Sequence, residues 1–482
     1  MGKIVSFLGI SGLCAGLVFL SGCSYLNGGR SDPAAGSDII IEKHTEIETE
    51  EGPTLPPLLP EETTIEPLEL PELSTETGTV NPEIVIASDI HYLSKELTDF
   101  GNAFTQMASE RDGLLVSYTW EITDAFLDEV IRRRPQVLIL AGDLTLNGAR
   151  LSHETLAQQL ARVEAAGIPV AVIPGNHDIN NPQAASFRSD ESVPAETVNP
   201  EQFAAIYEDF GYREALSRDP VSLSYVYQLT DGTWLLMLDS CQYENGAQVG
   251  GMIRSETYQW IDKVLEKAWD DERRVIAVAH HNLLDESRIY EKNCTIEHSE
   301  ELEQILDEWD VRLFLSGHLH VQHYKTSDEY DIDEIVTSAL AVSPCQYGVL
   351  QYFNTDQYYY TTERTDVSAW AQKKNNPDRN LQDFEGYAEE FLRNTFYRKA
   401  VEELRGKELS QDQIKNMAQL YALLNVESVA GTACDVRDFV EEDDNFELWQ
   451  MYDRTSILCM YMNEIMEDAV RDYNEMSRPG PN

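Results

Sequence analysis

Along the middle of the chain, short apolar runs alternate with stretches whose apolar residues recur every three or four positions. The runs fall at residues 84–87 (Ile-Val-Ile-Ala), 137–141 (Val-Leu-Ile-Leu-Ala), 169–174, 233–238, 275–279 and 311–315. Too short for helices and mostly rich in Val and Ile, they predict buried strands. Between them, residues 121–134 place Ile122, Phe126, Val130 and Ile131 on one face, and residues 152–166 do the same with Leu156, Leu160 and Val163. Residues 257–269 (Trp260, Ile261, Leu265, Trp269) and 300–309 repeat the pattern. That period predicts amphipathic helices, the first stopped by Pro135 and the second by Gly167. Residues 222–229 should pair with 233–238 across Asp231-Gly232. Residues 335–341, 347–353 and 357–362, rich in Val and Tyr, predict closing strands. Strand, helix, strand, repeated, implies a layered α/β fold with a mixed sheet or two packed sheets. Residues 92–120 are long for a plain loop and should carry small elements or function. Residues 179–220 show only helical pieces near 202–216.

Beyond about residue 366 the pattern is helical, at 387–404, 411–424 and 448–466. These stripes of Met, Leu, Tyr and Trp read as packing surface of a separate or appended region, residues 367–482, without recognisable chemistry.

The amino-terminal segment differs. Lys3 precedes an almost wholly apolar or small run from Ile4 to Leu20, then Ser21-Gly22-Cys23. A charged start, an apolar stretch and small residues before a cut make a secretory signal, residues 1–22. Leu20-Ser21-Gly22-Cys23 resembles the bacterial lipobox. The resemblance implies cleavage before Cys23, lipidation of Cys23, and a secreted, membrane-anchored lipoprotein on the extracytoplasmic face of a bacterial cell. Residues 23–80 interleave prolines (Pro53, Pro56, Pro57, Pro60, Pro67, Pro71) with repeated Glu. Proline breaks helices and sheet ladders and like charges repel, so this is an acidic extended tether, or an arm for a cationic partner.

The chain has 482 residues and a formal net charge of -49, from 85 acids against 36 basic residues. That argues against nucleic-acid binding by charge. Beyond Cys23, the cysteines are Cys241, Cys294, Cys345, Cys434 and Cys459, widely spaced and without a Cys-x-x-Cys pair. Neither a disulfide framework nor a zinc–thiolate site is expected, but isolated buried thiols are.

The chemistry lies where the strands stop. Residues 84–87 lead to Asp89 and His91, 137–141 to Gly142-Asp143, 169–174 to Asn176, His177 and Asp178, 275–279 to His280-His281, and 311–315 to His318 and His320. Alone, Asp143 reads equally as the cap of a following helix. In α/β sheets, however, ligands sit outside the carboxyl ends of strands, so these side chains should converge. Imidazole and carboxylate suit zinc, iron or manganese. Alternate residues on an extended tip face the same way, which suits Asp-x-His and His-x-His as ligand pairs.

In this order, Asp-x-His, Gly-Asp, Gly-Asn-His-Asp, His and Gly-His-x-His resemble the calcineurin-like metallophosphoesterase superfamily, with its cyclic-nucleotide phosphodiesterase-like branch the nearest in spacing. The match covers about residues 81–366. The resemblance implies a four-layered α/β/β/α sandwich. It implies two divalent metal ions (Mn, Fe or Zn), one held by Asp89, His91 and His320, the other by Asn176, His280 and His318, with Asp143 bridging. It implies hydrolysis of phosphate mono- or diesters by hydroxide held at the metals, with His177 as catalytic residue and Asp178 orienting a neighbour. His281, Asn147 and His153 could reach substrate; His153 reads equally as a surface residue at a helix start, and His323 as a surface or supporting residue. The other class of function is a lipid-anchored binding or scaffold protein on the same fold.

Overall fold

The computed structural model describes residues 81–111, 113–288, 293–353, 357–452 and 456–478. The expected signal, lipidation at Cys23 and tether all fall outside the described residues. One sheet has six strands in the order Glu475–Arg478, Tyr358–Arg364, Gln346–Tyr352, Glu83–Ala87, Val137–Ala141, Val170–Ile173; the last three are parallel and the others join antiparallel. The other has seven, in the order His323–Thr326, Asp333–Val336, Leu313–Ser316, Arg274–Val278, Thr233–Met237, Tyr225–Thr230, Ser217–Arg218, and is parallel through its middle four.

Alternation within the strands of the second sheet decides the layers. Leu235, Met237, Ile276, Val278, Leu313 and Leu315 face the first sheet and share its core. Trp234, Leu236, Val275, Ala277 and Phe314 point the other way, against Tyr258, Ile261 and Leu265 of helix Ser255–Asp270 and Leu302 and Leu306 of helix Ser299–Glu308. Two successive side chains of a strand point to opposite faces, so each run buries both of its faces. Helices Thr119–Arg133 and Arg150–Ala165 cover the first sheet, adding Ile122, Phe126, Leu156 and Leu160 to its core. The result is the four-layered α/β/β/α sandwich expected.

Two of the strand and helix expectations need correction. Residues 335–341 do not continue as a strand past Val336; Leu340 and Ala341 instead donate backbone bonds to the Ser88 and Asp89 carbonyls, 3.0 and 3.3 Å. Residues 448–466 are two helices, Asp444–Tyr452 and Ile457–Asp468. The long helices Phe384–Glu403 and Gln411–Ala430 lie near the expected positions. The C-terminal helical region packs on the sandwich: Leu392, Phe396, Met417, Leu424 and Met462 form one core with Leu93, Leu146, Leu319 and Val321, beside the candidate ligands. Its last stretch, Glu475–Arg478, returns as an edge strand beside Tyr358–Thr361. The five cysteines among the described residues are free thiols, four of them buried. Among the described residues no helix is long and apolar enough to cross a membrane.

Candidate metal centre

The strand-end loops are tied together through their backbones. Asp89 N–H donates to Gly142 O at 3.1 Å and His91 N–H to Asp143 O at 3.0 Å, carrying the first two tips side by side. Gly142 sits at φ +87° with its α-carbon against the His280 ring; an added Cβ would lie 2.5 Å from His280 Nδ1. A Cβ at Gly317 would lie 1.8 Å from Ser88 Oγ. Only glycine lets these tips approach so closely. Asp89, His91, Asp143, His318 and His320 all take positive φ, between 45° and 67°. Non-glycine residues pay roughly 1 kcal/mol or more for that conformation and hold it where surrounding bonds over-determine it, commonly at functional sites.

All seven predicted ligands are buried. Asp89 Oδ1 lies 3.2 Å from His320 Nε2 and 3.8 Å from His91 Nε2, and the two imidazole Nε2 atoms face each other at 3.0 Å. Asp143 Oδ2 lies 3.8 Å from His91 Nε2 and 3.5 Å from His280 Nε2, which itself is 3.1 Å from Asn176 Oδ1. Ligands at about 2.1 Å from one cation stand about 3.0 to 4.2 Å from one another, depending on the angle between them, so these separations fit shared coordination. Among the described residues, Asp89 Oδ1, Asp143 Oδ2, His318 Nδ1 and His177 Nε2 have no hydrogen-bond partner. A buried polar atom left so costs about 1–3 kcal/mol, which a bound cation would remove. Asp143 stands between the two groups, as a bridging carboxylate should.

Partners behind the ligands fix which atom each one offers. His280 Nδ1 donates to Ala141 O at 2.9 Å, leaving Nε2 toward Asp143. His318 Nε2 donates to Asn293 O at 2.9 Å, leaving Nδ1. Asp89 Oδ2 takes Ser88 Oγ–H at 2.6 Å and His318 N–H at 3.0 Å, leaving Oδ1. Burial lowers the His91 imidazole, and it lowers His318 to about 4, keeping their lone pairs free of protons at neutral pH. Burial would also lower His280, but the Asp143 and Asp89 carboxylates outweigh it and hold that ring up to about 9. Burial would raise the Asp89 and Asp143 carboxyls; the surrounding imidazoles, His320 first for Asp89 and His177 for Asp143, keep both below the usual range.

His177 donates from its backbone to Asp143 Oδ1 at 2.7 Å and from Nδ1 to Leu146 O at 2.7 Å. Its Nε2 is 3.9 Å from Asp143 Oδ2. Asp178 orients backbone rather than a histidine. Its Oδ2 takes Leu144 N–H and Gly175 N–H, and its Oδ1 takes Thr145 N–H and hydroxyl, at 2.8–3.0 Å. It thereby clamps the Asp143 loop to the Asn176 loop.

Three residues offered to substrate have other engagements. His281 is fully buried, takes Ser240 Oγ–H at Nδ1 and donates from Nε2 to Val249 O, so of the adjacent pair only His280 has a nitrogen to give. His153 is not at the surface: fully buried, it bonds Tyr207 Oη and Asp178 O. Asn147 is buried and donates to Gln183 O, with Oδ1 unpartnered. His323 is buried too, between Glu286 and Asp468 of the last helix. Ser88 and Asn293 went unread: Ser88 is marked only by standing next to Asp89, and Asn293, which reaches His318 from a distant loop through its carbonyl, carries no signal in its side chain.

A family model described as calcineurin-like phosphoesterase matches residues 82–322, half of the chain. A second, described as the C-terminal domain of cyclic nucleotide phosphodiesterase, matches residues 366–472. A protein of Synechococcus sp. named as a probable cyclic nucleotide phosphodiesterase is 27% identical over 191 residues, 39% of this chain and 59% of that relative. The match thus spans about three fifths of the relative's length. Among solved structures, a dimetal phosphatase from Danio rerio is similar over 59% of this chain and 97% of its own, at 13% identity and a TM-score of 0.43. A Plasmodium protein described as the anchor in the inner membrane complex covers 59% of this chain and 85% of its own, at 11% identity and a TM-score of 0.31.

Proposed function

The chain belongs to the calcineurin-like phosphoesterase family, and on that premise we propose that it is a dinuclear metal-dependent phosphodiesterase acting on cyclic-nucleotide-type esters. The observation that carries the reading is the pair of buried, unpartnered carboxylate oxygens, Asp89 Oδ1 and Asp143 Oδ2, set among His91, His280 and His320. Asp89, His91 and His320 would hold one cation, Asn176, His280 and His318 the other, with Asp143 shared. Two such cations supply Lewis acidity at the phosphoryl oxygens and a nucleophile at neutral pH. The matched C-terminal family and the Synechococcus relative support the cyclic-nucleotide class.

The chain's own residues do the rest. Asp143, Asn176 and the glycine turns behind them hold the donors in place before substrate arrives. His177 keeps one orientation because both its backbone N–H and Nδ1 are engaged, so Nε2 faces the centre. Burial lowers this imidazole against the pull of the Asp143 carboxylate, so Nε2 rests without a proton; on taking one up as the anionic ester binds, it can bond a phosphoryl oxygen and pass that proton to the departing alkoxide. The test is hydrolysis of bis(p-nitrophenyl) phosphate and of cyclic nucleotides by protein reconstituted with Mn, Fe or Zn. Turnover that needs metal and falls ~100-fold or more in His177→Ala is expected. Stoichiometric metal binding without hydrolysis of any ester would leave the scaffold class of function instead.

Export and anchoring are part of the same proposal. Lys3, the apolar run to Leu20 and the Leu20-Ser21-Gly22-Cys23 sequence support a lipidated Cys23 on the outer side of a bacterial membrane, with residues 23–80 as tether and the phosphoesterase body at about 81–366. Lipid labelling of the expressed chain that persists in Cys23→Ser would overturn the lipobox reading.

A further inference from the structure

A cavity of about 240 Å³ opens beside the second predicted cation position. Two of its lining residues belong to that position's surroundings. Asn176 is the predicted ligand 3.1 Å from His280, and Asn293 is the residue whose carbonyl fixes His318. The lining adds four amide residues, Asn181, Gln183, Gln242 and Gln248, and the exposed carboxylate of Glu297. The volume is below the roughly 300–1,000 Å³ of drug-sized sites, so it suits one ring system rather than an acyl chain or a glycan strand.

The amides are anchored in one sense. Gln242 Nε2 donates to Gly250 O and Gln248 Nε2 to Gly246 O, each at 3.1 Å. Those bonds fix which end of each amide is oxygen, and among the described residues neither Oε1 takes a hydrogen bond. Asn181 braces the wall, donating to His177 O and accepting from Gln183 N–H. What Gln242, Gln248 and Glu297 leave for a ligand is two amide oxygens and a carboxylate, with one further N–H on each amide. Such a surface, richer in acceptors than in donors, recognises an uncharged group that presents N–H or O–H donors beside acceptors along one edge. Glu297 and the net charge of -49 oppose any additional phosphate.

We propose that the Gln242–Gln248–Glu297 cavity is the specificity site for the leaving or retained alcohol of the ester, taking an uncharged ring that presents such an edge, either a nucleobase or a sugar. The assignment rests on the phosphodiesterase reading for its connection to catalysis, yet it is tested by binding alone. Calorimetry on the full chain with Mn²⁺ compares three non-hydrolysable ligands: methylphosphonate, the phosphonate analogue of ribose 5-phosphate, and that of adenosine 5′-phosphate. The adenosine analogue should bind at least ~10-fold tighter than methylphosphonate, as one or two bonds left unmade cost about that much. Gln242→Leu with Gln248→Leu should erase the difference and leave methylphosphonate within twofold, which also shows that the variant is folded. A ribose analogue that binds as well as the adenosine one assigns the donors to the sugar; one that binds like methylphosphonate assigns them to the base. Glu297→Gln should tighten a ligand with a second phosphate. Equal affinity of all three ligands for the wild type, or a preference that survives the double substitution, overturns the proposal. Absence of ester hydrolysis with the binding preference intact would count against the catalytic reading and not against this cavity.

Discussion

Replacing Asp178 by Asn changes no shape and should still destabilise the protein by several kcal/mol. The carboxylate accepts four hydrogen bonds, two on each oxygen. An Asn oxygen can keep the two from Thr145. Its amide then stands where Oδ2 was, facing the Leu144 and Gly175 N–H groups, donor against donor. Each bond to a charged acceptor is worth about 1.5–3 kcal/mol, so two lost bonds come to about 3–6 kcal/mol. Burial, with the Asp143 carboxylate beside it, pushes Asp178 up to about 7, which removes part of the charge at neutral pH and favours the lower end there. The measurement is therefore made at pH 8.5, where the carboxylate is ionised. Urea unfolding followed by far-UV circular dichroism gives the difference from the midpoint and slope. Cation affinity should fall as well, because Leu144 and Gly175 flank Asp143 and Asn176. A loss under about 1 kcal/mol would refute the idea that this carboxylate clamps the two loops.

The remaining predictions concern the ligands and the helical region behind them. Because His280 is held up to about 9, it carries a proton at pH 7.5, and cation uptake must displace it. Calorimetry in buffers of different ionisation enthalpy should show about one proton released from His280 at pH 7.5 and none near pH 10; no buffer dependence at pH 7.5 would contradict this. Burial would lower His323, but Glu286 and Asp468 hold it up to about 10. Its folded value lies above the unfolded one, so its stabilisation is full below about pH 6.5 and is lost as pH rises through about 10. Asp468 is 42% exposed, so Asp468→Asn should cost only about 1 kcal/mol at pH 6, and the gap from wild type in chemical unfolding should close by about pH 10.5. Leu319, fully buried between His318 and His320, packs in the core shared with the C-terminal helices. Leu319→Ala should cost about 2–5 kcal/mol in unfolding and also weaken cation binding; a stability loss with unchanged cation affinity would show that the helices do not position the loop.

Sequence pattern carried the centre well because every strand that builds it is buried on both faces, which makes its apolar run conspicuous and its polar end abrupt. Asp143 shows how much that is worth. Alone it could have capped a helix; the other strand ends make it the carboxylate between two groups of imidazoles. Where apolar pattern had more than one structural meaning, it failed. Residues 337–341 (Thr-Ser-Ala-Leu-Ala) directly continue the apolar strand end Ile335-Val336, yet they turn to hydrogen-bond Ser88 and Asp89. Long-range partners were also unreadable. His153 is buried because Tyr207 reaches it, and His323 because Asp468 returns from the last helix. Glu475–Arg478 is polar and becomes a strand because the Tyr358–Arg364 edge offers it a ladder, with Met476 the side chain that reaches the core. The stripes of helices Phe384–Glu403 and Gln411–Ala430 announced burial without saying against what; Leu319 and Val321 are part of the answer.

Asp143→Asn tests the central claim most directly, through Mn²⁺ binding isotherms read beside bis(p-nitrophenyl) phosphate hydrolysis. Loss of a residue that merely supports a ligand costs about 10–100-fold in affinity, so loss of a shared ligand should cost at least that at both positions. The account predicts that Asp143→Asn weakens both equivalents of cation together, while His91→Ala and His280→Ala each weaken mainly one. Two tightly bound cations with full hydrolysis in Asp143→Asn would contradict it.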